Sequence, residues 1–195
     1  MGETRGPAPL QSSRQAFPVL VSTIISLRTR DAVTRKVSEA VLREAGDVDS
    51  MDGIEEERLQ ELLKPAGFYR QKASQLKRIA GILKKDFNGE VPRDMDSLLS
   101  LPGVGRKTAN FVLGMVFGEP SICVDVHVHR ISGRLGLVNT NTPEETEYAL
   151  REVYPREEWT GINHTMVRFG QTVCRPRHPL CGECPLKEMC PSGDE

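Results

Sequence analysis

Apolar residues recur along most of this chain at the three-to-four-residue spacing of amphipathic helices, not the two-residue alternation of half-buried strands. The run Phe17 to Leu27 (FPVLVSTIISL) is apolar throughout and predicts a buried helix. Its Val and Ile content would also suit a strand, but no second strand is available to pair with it. Asp31 reads as the N-cap of a helix that Gly46 stops. Further helices are predicted over Ile54 to Leu63 and Gln71 to Phe87, the latter with Leu76, Ile79, Ile82 and Leu83 on one face. After the turn NGEVPRD come a short helix, Asp94 to Ser100, the hairpin LPGVG and a helix from Lys107 to Phe117. Val126 to Leu135, Pro143 to Val153 and Gly161 to Cys174 complete the series. The first 15 or so residues, with two Pro and a polar stretch, read as a loose arm. No internal repeat and no convincing sheet pattern occurs, so the expected fold is all-α.

Composition changes this picture little. A length of 195 residues with 38% apolar side chains suits one large domain, or two small ones sharing a core. No uncharged apolar run reaches the roughly 18 residues needed to span a bilayer, and the N-terminus lacks a signal-peptide pattern. The expected setting is intracellular.

Charge distribution says more than the net charge of −1. From Glu44 to Glu61 there are eight acids and one base, Arg58; from Gly67 to Lys85 there are six bases and no acid. Such segregation permits a positive face on a near-neutral molecule. Two solvated helix surfaces are the plainer explanation, and by charge alone the preferred one.

Three constellations carry candidate chemistry. The first is Leu101-Pro-Gly-Val-Gly-Arg-Lys-Thr-Ala-Asn110. Gly103 and Gly105 permit a tight turn with close backbone approach. The following helix start leaves N–H groups pointing outward, an anion site suited to phosphate. A Walker A loop is excluded because Arg106 separates Gly105 from Lys107, and a dinucleotide fingerprint because Thr108 stands where a third glycine is needed. There remain a hairpin holding a nucleic-acid backbone and a simple packing corner. Lys107 lies in a first turn, where the helix dipole disfavours cations. Either an anion neighbours it, or dipole and partial burial favour a neutral, nucleophilic amine.

The second constellation is Cys123-Val-Asp-Val-His-Val-His-Arg130, in which Asp125 can cap the next helix. On a helix Asp125 and His129 share a face that His127 does not, so no metal site is expected. The third is Cys174-x6-Cys181-x2-Cys184-x5-Cys190. Four thiols within seventeen residues can wrap one metal centre, and spacing alone leaves zinc and iron–sulfur equally open. Arg175, Arg177 and His178 make this loop basic, suited to a second stretch of phosphates. Cys123 lies apart, in an apolar stretch.

These constellations, in this order, resemble the helix–hairpin–helix DNA glycosylase superfamily in its endonuclease III branch, across residues 17 to 190. The resemblance implies a six-helix barrel over 17–120, with the helix–hairpin–helix at 94–117. It implies a cluster domain of 1–16 plus 121–195, with a [4Fe-4S] loop at 174–190 and a cleft between the domains. It further implies Cys174, Cys181, Cys184 and Cys190 as cluster ligands, Lys107 as catalytic nucleophile and Asp125 as its carboxylate partner. DNA contacts are expected from Gly103, Val104, Gly105, Arg106, Arg28, Asp31, Arg175 and Arg177, with a monovalent cation at the hairpin. The implied activity is removal of oxidised or damaged pyrimidines through a lysine Schiff base, then β-elimination at the abasic site. The expected partner is double-stranded DNA, with no membrane involved, and the expected state is a monomer in the cytoplasm or nucleoid of a prokaryote.

Two features depart from the family pattern. Arg28, in SLRTRD, stands where many relatives carry a glutamine that fills the gap left by the flipped nucleotide. Residues 1 to 16 are short for the N-terminal helix of relatives. A mismatch glycosylase of the same superfamily is the alternative enzyme, but such sisters commonly lack the lysine. A non-catalytic DNA-binding or redox module would have no use for both Lys107 and Asp125.

Overall fold

The computed structural model describes residues 13–193, which form helices and loops and no strand. The arm expected before residue 13 lies outside the described residues, but Ser13 to Gln15 already belong to a helix. That helix, α1 (Ser13–Ser26), buries Ala16, Phe17, Leu20, Val21, Ile24 and Ile25, the helical face expected of the apolar run. Residues 13 to 16 therefore open the first unit, rather than joining the cluster domain as expected. Burial of Ala16 and Phe17 in this core draws the helix back past Phe17.

The chain divides after Gly118. In the first unit, α1 packs against α2 (Asp31–Glu44), α5 (Tyr69–Asp86) and α7 (Arg106–Val112). The spine on the other side is α5, which buries Ala73, Leu76, Ile79, Ala80 and Leu83 against α3 (Val48–Gly53) and α4 (Glu56–Leu63). Each fully buried Leu or Ile contributes about 1.5–3 kcal/mol. Such burial sustains short elements like α3 and α6 (Met95–Ser100), whose six residues each could not hold a helix alone.

Helix α3 escaped sequence reading, and α4 begins at Glu56, later than expected. Three of the acids in the acidic segment fall on α3 or its cap. Asp47 accepts from Ser50 N at 2.7 Å while Ser50 Oγ accepts from Asp47 N at 3.1 Å, closing a capping box. Asp31 is the first residue of α2, and Arg30 holds the cap position without a side-chain bond, so the expected Asp31 cap is not formed.

The charge segregation resolves partly into contacts between helices and partly into solvated surface. Lys84 pairs with Asp52 at 2.9 Å and Asp49 at 3.2 Å, because α3 lies against α5. Arg58 bridges Glu44 at 2.6 Å and Glu61 at 2.9 Å. Lys77 donates to the carbonyls of Asp52 and Ile54, capping the end of α3. Lys72 is buried. Arg70, Arg78 and Lys85 keep exposed side chains on α5.

In the second unit, α8 (Val126–Arg134) packs against α9 (Pro143–Val153) and α10 (Trp159–Thr172). Their core is Ile122, Val124, Val128, Ile131, Val138, Leu150, Ile162 and Met166. Thr142 caps α9, accepting from Glu145 N at 3.2 Å, and Pro143 follows at the first helical position, where its missing N–H costs nothing. No helix among the described residues is long and apolar enough to cross a membrane.

Candidate active site and cluster loop

The glycine hairpin is built as its spelling demands. Asp94 caps α6 by accepting from Ser97 N at 2.8 Å. Leu101 and Val104 are buried while Gly103 and Gly105 are exposed, so apolar side chains anchor the turn and its glycine backbone faces outward. Val104 N donates to Leu101 O at 3.1 Å, closing the turn. Gly103 has φ +76°, a conformation that requires glycine; a Cβ there would also stand 2.6 Å from Gln75 Nε2 on α5, the end of a side chain that would have to move aside. Gly105 occupies the cap position of α7 and offers no side-chain acceptor. Arg106, half-buried, and Lys107, exposed, are the first two residues of α7, while Thr108, Ala109 and Asn110 turn into the core. The partial burial expected for Lys107 is therefore absent. Past Val112 the helix widens into a π-turn, Leu113–Phe117.

Asp125 caps α8, its Oδ1 accepting from His127 N at 2.8 Å and Val128 N at 3.0 Å. The chain before it is pinned by burial of Cys123 and Val124 and by Asn163 Nδ2, which donates to Cys123 O at 2.8 Å. The carboxylate of Asp125 is thus held by backbone on one oxygen and half-buried. The two histidines part company: His127 Nδ1 lies 3.2 Å from Arg130 Nη2, and His129 Nδ1 lies 2.7 Å from Thr146 Oγ1.

The four C-terminal cysteines form no disulfide; half-buried, they line one cavity of about 130 Å³ beside Phe169, Val173 and Leu180. The far end of α8 grips this loop. Arg134 donates to Arg175 O at 2.7 Å, Pro176 O at 3.2 Å and Cys174 Sγ at 3.6 Å, and Arg130 donates to Cys174 O at 3.0 Å. Four sulfurs around one shared, mostly apolar cavity, with a guanidinium beside one of them, suit an anionic iron–sulfur cluster. Arg175 and Arg177 stand exposed on the same loop.

In the first unit, Arg28 is exposed, in the left-handed region at φ +54°. Its guanidinium lies over the ring of Phe68, 5.2 Å from the centroid. Phe68 is also left-handed, at φ +58°, and 56% exposed, unusual for a large apolar side chain. Sequence reading passed over Phe68. The only signal was an aromatic residue directly after the Pro65–Gly67 turn, where the core pattern does not call for one.

Residues 21–156 match the HhH-GPD superfamily of base excision DNA repair proteins, and residues 174–190 match the iron–sulfur binding domain of endonuclease III. Endonuclease III of Thermotoga maritima is 48% identical over 174 residues, covering 89% of this chain and 82% of that protein. The Bacillus subtilis protein of the same name is 37% identical, covering 92% and 82%. A solved structure of a trapped endonuclease III–DNA covalent intermediate, an estranged-adenine complex, superposes with a TM-score of 0.86 at 35% identity, covering 98% of this chain and 88% of that one. The cofactor of this protein is a [4Fe-4S] cluster. The chain belongs to the HhH-GPD superfamily of base excision DNA repair proteins, in its endonuclease III branch.

Proposed function

We propose that this chain excises oxidised or otherwise damaged pyrimidines from double-stranded DNA and then cleaves the abasic site, with Lys107 as nucleophile and Asp125 as its carboxylate partner. The observation that carries the reading is the exposed amine of Lys107 in the first turn of the helix that opens on the Gly103–Gly105 backbone. Backbone N–H groups of that turn hold a DNA phosphate, and an amine beside it is placed against the sugar.

The lesion must leave the stack, since its C1′ is unreachable within the duplex. The amine of Lys107, having given up its proton, donates its lone pair to C1′; the bond from C1′ to the base breaks, and the base leaves with that electron pair and takes up a proton. Asp125 stabilises the positive charge that develops on the sugar and assists proton transfers. The adduct opens to an imine, which acidifies the neighbouring C2′. Loss of a C2′ proton expels the 3′ phosphate, nicking the strand.

The cluster is held by Cys174, Cys181, Cys184 and Cys190, and serves to shape the loop on which Arg175 and Arg177 meet backbone phosphates. A monovalent cation binds at the hairpin. Arg28 contacts the orphan base or fills the gap left by the extruded nucleotide. Asp31, exposed at the start of α2, is a further DNA contact. The protein acts as a monomer, inside the cell where the chromosome lies: the cytoplasm or nucleoid of a prokaryote.

The test is a panel of duplexes, each carrying one defined lesion. Oxidised and hydrated pyrimidines are expected to be excised with concomitant nicking. Activity confined to undamaged mispairs would overturn the reading in favour of a mismatch glycosylase.

The ligand set has its own test. Purified protein should be yellow-brown, with about four irons and four sulfides per chain. Cys123→Ala should keep the colour, since Cys123 is a buried apolar filler at 7% exposure. Stoichiometric zinc without sulfide, or bleaching by Cys123→Ala, would show the ligand set to be wrong.

A further inference from the structure

The link between α1 and α2, Leu27 to Arg30, is tied to the start of α5 by one side chain. Lys72 is only 4% exposed, and its Nζ donates to Ile25 O at 2.7 Å, Leu27 O at 2.7 Å and Thr29 Oγ1 at 2.8 Å. Two of these acceptors are carbonyls at the end of α1, a class of group that a helix leaves without internal partners. None of the three bonds ends on a carboxylate, and burying an ammonium without one is costly. Burial pushes the Lys72 ammonium below the ordinary lysine range, yet all three of its protons are needed to make the three bonds.

Two other contacts close on the same link. Gly67 lets the α4–α5 loop approach so closely that a Cβ there would lie 2.8 Å from Arg28 O. Phe68 receives the Arg28 guanidinium on its ring. Two non-glycine residues in left-handed conformation, in contact and both exposed, are strained positions that only surrounding structure can hold. The buried tripod of Lys72 is the strongest element of that surrounding structure.

We propose that Lys72 is a positioning residue for base excision, fixing the Leu27–Arg30 link in the conformation that presents Arg28 to the DNA. This rests on the role of Arg28 given above. It makes Lys72 different from a neighbouring base such as Arg70 or Arg78, which offers charge to solvent.

Two readouts test it. Amide hydrogen exchange of the DNA-free protein reads the anchor: Lys72→Met should speed exchange over residues 27–30 and leave α3 and α4 unchanged. Single-turnover kinetics read the consequence. Lys72→Met should slow excision of a paired lesion about tenfold, the worth of one charged hydrogen bond, and leave cleavage of a preformed abasic site within about twofold. Combined with Arg28→Ala, which should itself slow paired-lesion excision more than abasic cleavage, it should add no further slowing, because both changes remove the same contact. Thr29→Val removes one arm of the tripod with little disturbance, and should shift both readouts in the same direction by less, which serves should Lys72→Met not fold.

Unchanged exchange at 27–30 in both variants would overturn the anchor. Equal slowing on both substrates, or multiplicative effects in the double variant, would reduce Lys72 to a structural strut and overturn the positioning role. If exchange rises but Arg28→Ala slows both substrates alike, the assignment of Arg28 fails while the anchor stands, so the two failures are distinguishable.

Discussion

Sodium borohydride should trap the wild-type protein on lesion-bearing DNA, and Lys107→Gln should reduce that trapping, and strand nicking with it, to background. The reason is chemical. A general-base enzyme that activates water leaves no covalent link, whereas an amine nucleophile must pass through an imine, which borohydride reduces to a stable bond. The glutamine amide has its lone pair delocalised into the carbonyl and cannot attack C1′. The substitution is otherwise mild, because Lys107 is exposed and its neighbours Thr108 to Asn110, not Lys107 itself, fill the core. Fold, cluster colour and DNA affinity should persist. The measurement is a denaturing gel of a labelled duplex with and without borohydride. Trapping at the wild-type level in Lys107→Gln would transfer the nucleophile role to another amine and sink the mechanism.

Asp125→Asn should slow base release by about 10²–10³, the usual cost of removing one oriented charge from a transition state. Structure makes this a clean experiment. Asp125 caps α8 through Oδ1, and asparagine caps helices about as well as aspartate. The variant therefore removes the charge and keeps the cap, so thermal stability should change little. Asp125→Ala would remove both, at a stability cost of about 1 kcal/mol. In Asp125→Asn the amine of Lys107 remains, so borohydride trapping on a preformed abasic site should survive while excision from an intact lesion falls. An excision rate near that of wild type would show that capping is all Asp125 does.

Contiguous residues carried most of what defines this protein. The apolar run at Phe17 to Leu27 and the stripe through Leu76, Ile79 and Leu83 announced helices, because helical periodicity is written into neighbouring positions. Gly103 and Asp125 were legible for the same reason: a left-handed turn and a helix cap are settled within a few residues of backbone. The cysteine loop was legible as a metal site from covalent spacing alone, though the choice between zinc and iron–sulfur was not. Helix α3 was missed because six residues, three of them acidic or glycine caps to the eye, show no full period, and its stability comes from lying on α5. The same packing decided the fate of the basic stretch. Lys72, Lys77 and Lys84 look alike in the sequence, yet one is buried under the α1–α2 link, one caps α3 and one pairs with acids. Their acceptors lie 20 to 50 residues away along the chain, at distances that only the folded core closes. Local conformation is set largely by local residues, and so sequence alone determined the longer helices, the hairpin and the candidate chemistry. Which charges are buried, which are spent on other helices and which stay exposed to solvent depends on contacts between distant segments, and that was decided by tertiary structure.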